Sequence, residues 1–186
     1  MSSYLTNGEL REFGFKYLGE DVKLSRHAHF YNPSSIEIGS GSRVDDFCIV
    51  SGNVTIGAMV HITPYNLISG HSVGLVIEDY CTIAYRCNIF TESDDYTGKT
   101  MTGSLIPDRF KSVTSSPIKI ERFSIIGCNS TIFPGVNIAV GTSIGACALV
   151  LKDTEEWSIY AGQPAVKIRN RKKGLLDEYE KYQNSI

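Results

Sequence analysis

Residues 120–150 read IERFSIIGCNSTIFPGVNIAVGTSIGACALV, and every sixth residue of this stretch is Ile or Val. The positions are Ile120, Ile126, Ile132, Ile138, Ile144 and Val150. Toward the N-terminus the same spacing returns in two runs, which are offset from each other by three residues. These runs are Ile38, Val44, Val50, Ile56, Ile62, Ile68 and then Ile77, Ile83, Ile89. We call all of these residues the anchors.

A six-residue period fits neither a helix of 3.6 residues per turn nor the two-residue alternation of a plain strand. It fits a short strand and a corner, repeated. Three such units close a triangular coil, and coils stacked about 4.8 Å apart form a parallel β-helix. Anchors one full coil apart then share a face and point inward. The residue four places after most anchors is small, as at Ser42, Cys48, Cys81, Cys87 and Ala148, which predicts tight packing inside the corners.

The pattern [Ile/Val]-[Gly/Ala/Glu/Asp]-x-x-[small]-x resembles the hexapeptide-repeat acyltransferase family, in its sugar O-/N-acetyltransferase branch. Residues 126–138 (IGCNSTIFPGVNI) and 160–165 (YAGQPA) are similar to its late coils and exit segment. The resemblance implies a left-handed coil, acetyl-CoA as co-substrate, and a homotrimer with active sites between subunits. The expected fold class is therefore all-β: a left-handed parallel β-helix with short helical ends.

The expected organisation has three parts and one loop. Residues 1–21 are predicted to form a helical lead-in, with a capping box at Thr6 and Glu9. The β-helix is predicted over 22–163, and a polar helical tail over 164–186. A long external loop, 91–117, leaves the coil after Ile89, and a loop of this length inside a compact fold is usually functional or disordered.

Composition excludes several classes of protein. Net charge is −2, with 42% hydrophobic and 20% charged residues, which argues against a nucleic-acid binder that relies on bulk positive charge. A membrane-spanning helix needs about 18 consecutive apolar residues. No apolar run in the sequence approaches this length, so no membrane insertion is expected. The five cysteines form no CxxC motif, and residues 1–9 lack the features of a signal peptide. We therefore expect a cytoplasmic protein without a disulfide framework.

The two interruptions of the repeat point to a catalytic site, because they fall one coil apart at the same corner. His71 lies three residues after Ile68, and Glu92 lies three after Ile89, followed by Asp94 and Asp95. An imidazole can accept a proton near neutral pH, and a carboxylate on its other nitrogen fixes the tautomer. We predict His71 as the base, with Asp94 and Asp95 as catalytic partners. The alternatives are that Asp95 or the amine of the substrate itself takes the proton, or that His71 is an ordinary corner residue.

Other residues are assigned to ligands. Substrate binding is predicted for Tyr65, Asn66, Glu92 and Tyr96. If the resemblance holds, the donor contacts the small residues of late coils, and basic residues near the C-terminus bind its phosphates. That cofactor-binding set is Gly127, Cys128, Gly145, Ala146, Lys152, Lys167 and Arg169. No metal is expected, because no set of three converging histidines is found.

The resemblance implies an acetyl-CoA-dependent acetyltransferase that acts on an amine or hydroxyl of a sugar. The sugar is expected to be nucleotide-linked and to be used in cell-surface polysaccharide. Two alternatives remain. One is an O-acetyltransferase of a free sugar or glycoside. The other is a non-catalytic β-solenoid scaffold, although the regular Thr-x-Thr rows of ice-binding solenoids are absent from the sequence.

Overall fold

A computed structural model describes residues 3–185 of the chain. Helix α1 (Asn7–Glu12) precedes the coils and helix α2 (Leu175–Gln183) follows them. Short 3-10 turns occur at Pro33–Ser35 and Asp108–Phe110. The strands in chain order are β1 (Tyr17–Leu18), β2 (Lys23–Leu24), β3 (His29–Tyr31), β4 (Ile36–Ile38), β5 (Arg43–Val44), β6 (Ile49–Ile56), β7 (His61–Ile62), β8 (Leu67–Ile77), β9 (Thr82–Ile83), β10 (Asn88–Phe90), β11 (Glu92–Asp94), β12 (Val113–Ser115), β13 (Ile118–Ile120), β14 (Ile125–Ile126), β15 (Thr131–Ile132), β16 (Asn137–Ile138), β17 (Ser143–Ile144), β18 (Leu149–Val150), β19 (Ser158–Gly162) and β20 (Ala165–Asn170).

The strands stack in parallel into three faces, and each anchor pairs with the anchor of the next coil, as predicted. The first face aligns Ile38, Ile56, Ile77, Ile120 and Ile138. The second face aligns Val44, Ile62, Ile83, Ile126 and Ile144. The third face aligns Val50, Ile68, Ile89, Ile132 and Val150. All fifteen side chains are buried, so they form one continuous core along the axis of the coil.

Small residues fill the corners between faces, and several of them also connect successive coils. The Ser42 hydroxyl accepts a hydrogen bond from the Val60 amide at 2.9 Å and donates to the Gly57 carbonyl at 2.7 Å. Burial raises the pKa of the Cys48 and Cys87 thiols to about 11. These cysteines are therefore uncharged packing residues, as the sequence predicts.

Glycine is needed in the corners for close stacking between coils. A Cβ atom at Gly127 would lie 2.6 Å from the Ala146 amide nitrogen of the next coil. The left-handed backbone conformation of the corners does not require glycine. Non-glycine residues adopt it too, including Phe47, Tyr65 and Arg86 at φ of 60°, 67° and 59°.

Both ends of the coil differ from the predicted boundaries. The capping box of Thr6 and Glu9 is present, and Leu10 of α1 is buried against the core. However, β1 already pairs with β4, so the coil begins before residue 22. The predicted helical tail from 164 starts instead with strand β20, which pairs antiparallel with β19, and only α2 is helical. Met1, Ser2 and Ile186, which the predicted lead-in and tail include, lie outside the described residues.

The two interruptions take different forms. The first is a bulge inside the long strand β8, where the register against β6 shifts at Gly52 and His71. The second is the excursion over 91–117, whose base is an antiparallel hairpin of β11 and β12. Both leave the corner between the third and first faces, which we call the third–first corner. Neither helix within residues 3–185 has the length and apolar character that crossing a bilayer requires.

Candidate active site

The structure brings His71 and Glu92 together at the third–first corner. Strands β8 and β10 pair Ser69 with Phe90, so His71 and Glu92, each two residues further along the chain, also meet. His71 Nδ1 lies 3.1 Å from Glu92 Oε2, and the two side chains are 42% and 29% exposed. A carboxylate on Nδ1 fixes the tautomer that presents an unprotonated Nε2, which is the form needed to accept a proton.

The hairpin at the base of the excursion holds Glu92 in place. Strand β12 places Ser115 opposite Glu92, and the Ser115 hydroxyl donates a hydrogen bond to Glu92 Oε1 at 3.1 Å. The two carboxylate oxygens therefore have different partners, Ser115 on one and His71 on the other. Ser115 could not be predicted from the sequence, because only the antiparallel pairing inside the excursion places it next to the carboxylate.

A shallow depression of about 460 Å³ surrounds this pair. Its lining is polar, and the Ser51 hydroxyl donates to the Ser69 hydroxyl at 3.0 Å on its floor. The lining residues are Asn32, Ser51, Gly52, Ser69, His71, Ser72 and Glu92. Small hydroxyl and glycine positions leave the imidazole accessible to a ligand.

The two aspartates that we predicted as catalytic partners have other contacts. Asp95 accepts hydrogen bonds from the Thr97 amide at 2.7 Å and from the Lys99 and Thr100 amides at 3.1 Å each. These bonds, from Thr97 first and then Thr100, lower the pKa of Asp95 to about 2. So acidic a carboxyl is a weak proton acceptor near neutral pH, and its hydrogen bonds make Asp95 an anchor of the excursion. A catalytic role for Asp95 stays a prediction.

Asp94 has no contact with the imidazole among the described residues, and it lies beside the late coils. Its Oδ2 atom accepts a hydrogen bond from the Gly103 amide at 3.1 Å. Together with Asp95 and the strongly exposed Tyr96 it lines a second depression against Phe133, Pro134 and Leu151. Among residues 3–185, the acidic residue that contacts His71 is Glu92, and not Asp94 or Asp95.

The predicted donor-binding residues lie at the corner between the second and third faces, the second–third corner. Gly127, Cys128, Gly145 and Ala146 follow β14 and β17 there, and Ala146 is exposed. With no large side chain at these positions, a thin chain such as pantetheine can approach the backbone. Within one chain, this corner and the corner of His71 are different edges of the prism.

The three predicted phosphate-binding cations differ in their availability. Lys167 Nζ is 2.7 Å from Glu155 Oε2, so its charge is already neutralised. Lys152 and Arg169 are exposed, and neither forms an ion pair with another described residue. The donor set therefore fits an anionic ligand chiefly through Lys152 and Arg169.

Two of the predicted substrate-binding residues, Tyr65 and Asn66, lie at the second–third corner, and of these two only Tyr65 is accessible. Tyr65 is 53% exposed and stacks on Phe47 with ring centroids 5.0 Å apart. The prediction for Asn66 is wrong, because the residue is buried. Its amide nitrogen donates to the Thr63 carbonyl, and its amide oxygen accepts from the Cys87 amide at 2.8 Å, so both polar ends are used between coils.

A second histidine–carboxylate pair is structural. His61 Nε2 lies 2.9 Å from Asp45 Oδ2, and Asp45 also contacts Arg43 and the Tyr4 hydroxyl. Burial opposes ionisation of Asp45, but the hydrogen bonds from Arg43, His61 and Tyr4 lower its pKa. The cluster thus ties the N-terminal segment to the second face. Among residues 3–185, no three His, Cys, Asp or Glu side chains are grouped so that they could hold a metal ion.

Comparison with known proteins decides the family. The chain matches no family model. It is 36% identical over 178 residues to the dTDP-4-amino-4,6-dideoxy-D-glucose acyltransferase of Escherichia coli, with 94% of this chain and 92% of that protein covered. The chain belongs to the hexapeptide-repeat sugar acyltransferases.

Solved structures of similar proteins agree with this assignment. AntD, an N-acyltransferase from Bacillus cereus, was solved with dTDP and 3-hydroxybutyryl-CoA; it is 37% identical, with a TM-score of 0.97 and coverage of 100% of this chain and 98% of that chain. A variant of AntD was solved with dTDP-4-amino-4,6-dideoxyglucose and coenzyme A, with a TM-score of 0.98 and both chains fully covered at 37% identity. A hexapeptide-repeat acetyltransferase from Vibrio cholerae, 21% identical with a TM-score of 0.56 over 89% of this chain and 79% of that chain, bears on the fold alone.

The prediction of a hexapeptide-repeat sugar acyltransferase with a left-handed parallel β-helix is therefore confirmed, and so is the prediction that the chain is an enzyme. The scaffold alternative is abandoned, because the likeness covers the whole chain, including the excursion that carries Glu92.

Proposed function

We propose that this acyltransferase moves an acetyl group from acetyl-CoA to the amino group of a nucleotide-linked amino sugar that is used in cell-surface polysaccharide. The observation that carries the proposal is the His71–Glu92 pair at the base of the excursion. It lies in a chain that matches an N-acyltransferase, solved with dTDP and an acyl-CoA, from end to end.

The chemistry follows from what an oriented imidazole can do. The amine nitrogen attacks the thioester carbonyl, a C–N bond forms, and the C–S bond breaks. His71 Nε2 takes the proton from the attacking nitrogen and returns it to the thiolate of coenzyme A as that group leaves. A backbone N–H group at a corner would stabilise the oxyanion, and one such donor is typically worth about 3 kcal/mol. Transfer of the proton by the imidazole accounts for roughly 10²–10⁴-fold in rate.

An amine acceptor is favoured over a hydroxyl by both relatives. The AntD variant was solved with an amino sugar, dTDP-4-amino-4,6-dideoxyglucose, and the enzyme from Escherichia coli is an acyltransferase of the same amino sugar. A homotrimer is favoured because the donor corner and the His71 corner are separate edges of one chain, and a neighbouring copy can join them. A cytoplasmic location agrees with five cysteines that all remain as free thiols.

The test is the turnover of His71→Ala with acetyl-CoA and dTDP-4-amino-4,6-dideoxyglucose, measured by release of the coenzyme A thiol. We expect kcat to fall about 10²–10⁴-fold with an unchanged far-UV spectrum and melting temperature. The matched control is His29→Ala, which removes an exposed histidine from the third face and should leave kcat unchanged.

The pH dependence of this defect identifies the acceptor. A sugar ammonium must lose a proton before it attacks, so the defect of His71→Ala should be smaller at pH 9 than at pH 6.5. A defect of equal size at both values would contradict an amine acceptor, and wild-type turnover in His71→Ala would remove the imidazole from the mechanism.

A further inference from the structure

Two of the five cysteines are accessible, and both lie at the second–third corner of the late coils. Cys147 is exposed and Cys128 is half-buried. Cys128 follows β14 and Cys147 follows β17, and these two strands are paired neighbours, so the cysteines lie in successive coils. The chemistry proposed above uses neither thiol. The repeat does not require a thiol at either position, because Ala146 takes the place of Cys128 one coil later and Asn129 takes that of Cys147 one coil earlier.

The other three cysteines show how the fold uses a thiol that only fills space. Cys48, Cys81 and Cys87 are at most 1% exposed, and they occupy the small position four places after an anchor, where other coils have Ser42 or Ser130. Burial raises the pKa of Cys81 to about 12. The thiolate is the reactive form of cysteine, so these three residues are inert. The two thiols at the corner are not protected in this way.

The two accessible cysteines are joined through the backbone. The Cys147 amide donates a hydrogen bond to the Cys128 carbonyl at 2.7 Å. With standard bond lengths, this contact limits the distance between their Cα atoms to at most about 6.6 Å. Disulfides in proteins span Cα distances of about 4.4–6.8 Å, so a bridge between these two residues is within reach. The side chain of Gln163 holds the backbone here, because its amide donates to the Cys147 carbonyl at 2.7 Å.

A bridge between these thiols would lie on the predicted donor site. The predicted donor residues of this corner are Gly127, Cys128, Gly145 and Ala146, which belong to the same two coils. A thin ligand chain reaches the backbone there because no large side chain stands in the way. Two bonded sulfur atoms that link the coils would occupy that space.

We propose that Cys128 and Cys147 form a reversible disulfide that closes the donor corner, with coenzyme A disulfide as the oxidant. The consequence for activity rests on the proposed function, because the corner is the one predicted to bind acetyl-CoA. Coenzyme A disulfide carries the same nucleotide and pantetheine groups as the donor. The residues that bind the donor therefore bring this oxidant to the thiols.

The exchange takes place in two steps. The exposed Cys147 thiol attacks one sulfur of coenzyme A disulfide, so that a bond to Cys147 forms, the original S–S bond breaks, and one coenzyme A leaves with the proton. Cys128 then attacks the Cys147 sulfur, and the second coenzyme A leaves with the proton of Cys128. Two cysteine thiols are oxidised and one coenzyme A disulfide is reduced to two thiols. The reverse reaction consumes coenzyme A thiol, which is the product that acyl transfer releases.

Peptide mass spectrometry of the full chain tests the bond itself. Trypsin cleaves after Arg122 and Lys152, and the peptide 123–152 contains Cys128 and Cys147 as its only cysteines. After incubation with coenzyme A disulfide and alkylation, we expect this peptide to carry no alkyl group and to have lost two hydrogen atoms. Incubation with coenzyme A thiol should restore both alkylation sites. Full alkylation after the oxidant would overturn the inference.

Turnover of the same samples tests the consequence. The oxidant is removed by gel filtration, and initial rates with acetyl-CoA and dTDP-4-amino-4,6-dideoxyglucose are followed by the loss of thioester absorbance. The kcat/KM for acetyl-CoA should fall at least about 10-fold in the oxidised wild type, because the donor is displaced from its groove, and should recover with reductant. In Cys147→Ser the same treatment should leave turnover as it was before the treatment. A bridged wild type with undiminished turnover would overturn the closure of the donor corner.

Two further variants identify the partners. Cys128→Ser retains the attacking thiol without the second one, so its peptide should stop at a coenzyme A adduct on Cys147. The matched control is Cys87→Ser, which removes a buried thiol whose Sγ lies 3.2 Å from the Gly127 carbonyl oxygen. Serine fits this position, as Ser130 shows one coil later, and the bridge should form as in the wild type. A bridge that includes Cys87 would contradict the pairing.

The two levels of the proposal fail separately. If the reduced wild type is active and peptide 123–152 remains fully alkylated, the inference fails while the proposed function stands. If the reduced wild type shows no turnover, the proposed function fails, and the mass of the peptide still decides whether the two thiols form a bridge.

Discussion

His71 occupies a left-handed backbone conformation, at φ of 42°, which is rare for non-glycine residues in general, although other corner residues of this coil also adopt it. Such a conformation costs on the order of 1–3 kcal/mol and persists only where the surrounding structure enforces it. Gly52 in the neighbouring coil allows the bulge, since a Cβ atom there would lie 2.6 Å from the His71 amide nitrogen. The bulge aims the imidazole at Glu92, and we infer that the cost of this local conformation is tolerated for that contact.

Glu92→Gln tests whether the Glu92 carboxylate positions the His71 imidazole. The amide can still accept the hydrogen bond from Ser115, but it no longer offers the imidazole a carboxylate that fixes its tautomer. We expect kcat to fall about 10-fold, with the KM for acetyl-CoA unchanged. The measurement is a pH–rate profile from pH 5.5 to 9.

Glu20→Gln, which neutralises an exposed glutamate of the first coil, is the control for the change in net charge. Ser115→Ala should lower kcat by a smaller factor in the same direction, because it leaves the charge of Glu92 in place. Superimposable profiles for Glu92→Gln and the wild type would exclude a functional contact between Glu92 and His71.

At the scale of elements, the sequence predicts what repeats and misses what occurs once. The anchors were predictable because an inward position in every coil admits only an apolar side chain of similar size, and their pairing follows from the period. Strand β20 was not predictable, because within residues 3–185 it pairs only with β19, and its apolar residues Val166 and Ile168 are exposed and show no buried period. Asn66 follows Tyr65 directly in the sequence, and nothing in the sequence indicates that one of them is exposed and the other buried. Only the stacking of the coils shows that the Asn66 amide forms a hydrogen bond to the next coil.

The excursion is an element whose order depends on one side chain, and this gives a prediction. Asp95→Asn should increase hydrogen exchange at the Thr97, Lys99 and Thr100 amides, because the ionised acceptor of their hydrogen bonds is lost. In the wild type, the pKa of Asp95 is lowered to about 2. The contribution of the ionised carboxylate to the stability of the excursion is therefore present above the ordinary pKa of a carboxyl group, and it is lost as pH falls from about 4 through 2. Exchange measured by mass spectrometry at pH 6 and, after matching intrinsic rates, at pH 3 checks both statements.

Asp108→Asn is the control within the same excursion, because that side chain is fully exposed and, in the part of the chain that the structure describes, contacts only Lys111, at 3.2 Å. Its substitution should leave exchange at residues 97–100 unchanged. Equal protection in Asp95→Asn and the wild type would show that the hairpin of β11 and β12 orders the excursion without help from Asp95.

At the scale of the whole molecule, the prism distributes the proposed functions among its three edges. The third–first corner carries the imidazole, the predicted donor-binding residues lie at the second–third corner, and α2 closes the remaining corner. On these predictions a single chain holds the two halves of the site on separate edges. In a closed trimer each copy can present one edge to each neighbour, which completes three sites by symmetry.

This arrangement predicts that two inactive variants restore each other. His71→Ala lacks the imidazole, and Ala146→Trp, at an exposed position, blocks the donor corner. When differently tagged copies are co-expressed and purified through both tags, every mixed trimer has one site with an intact His71 and an intact donor corner. We therefore expect about one third of the wild-type kcat per trimer, although each variant alone is nearly inactive. A mixed preparation that is no more active than its parents would show that one chain supplies both edges of its own site, and the assignment of donor and base to different subunits would be wrong.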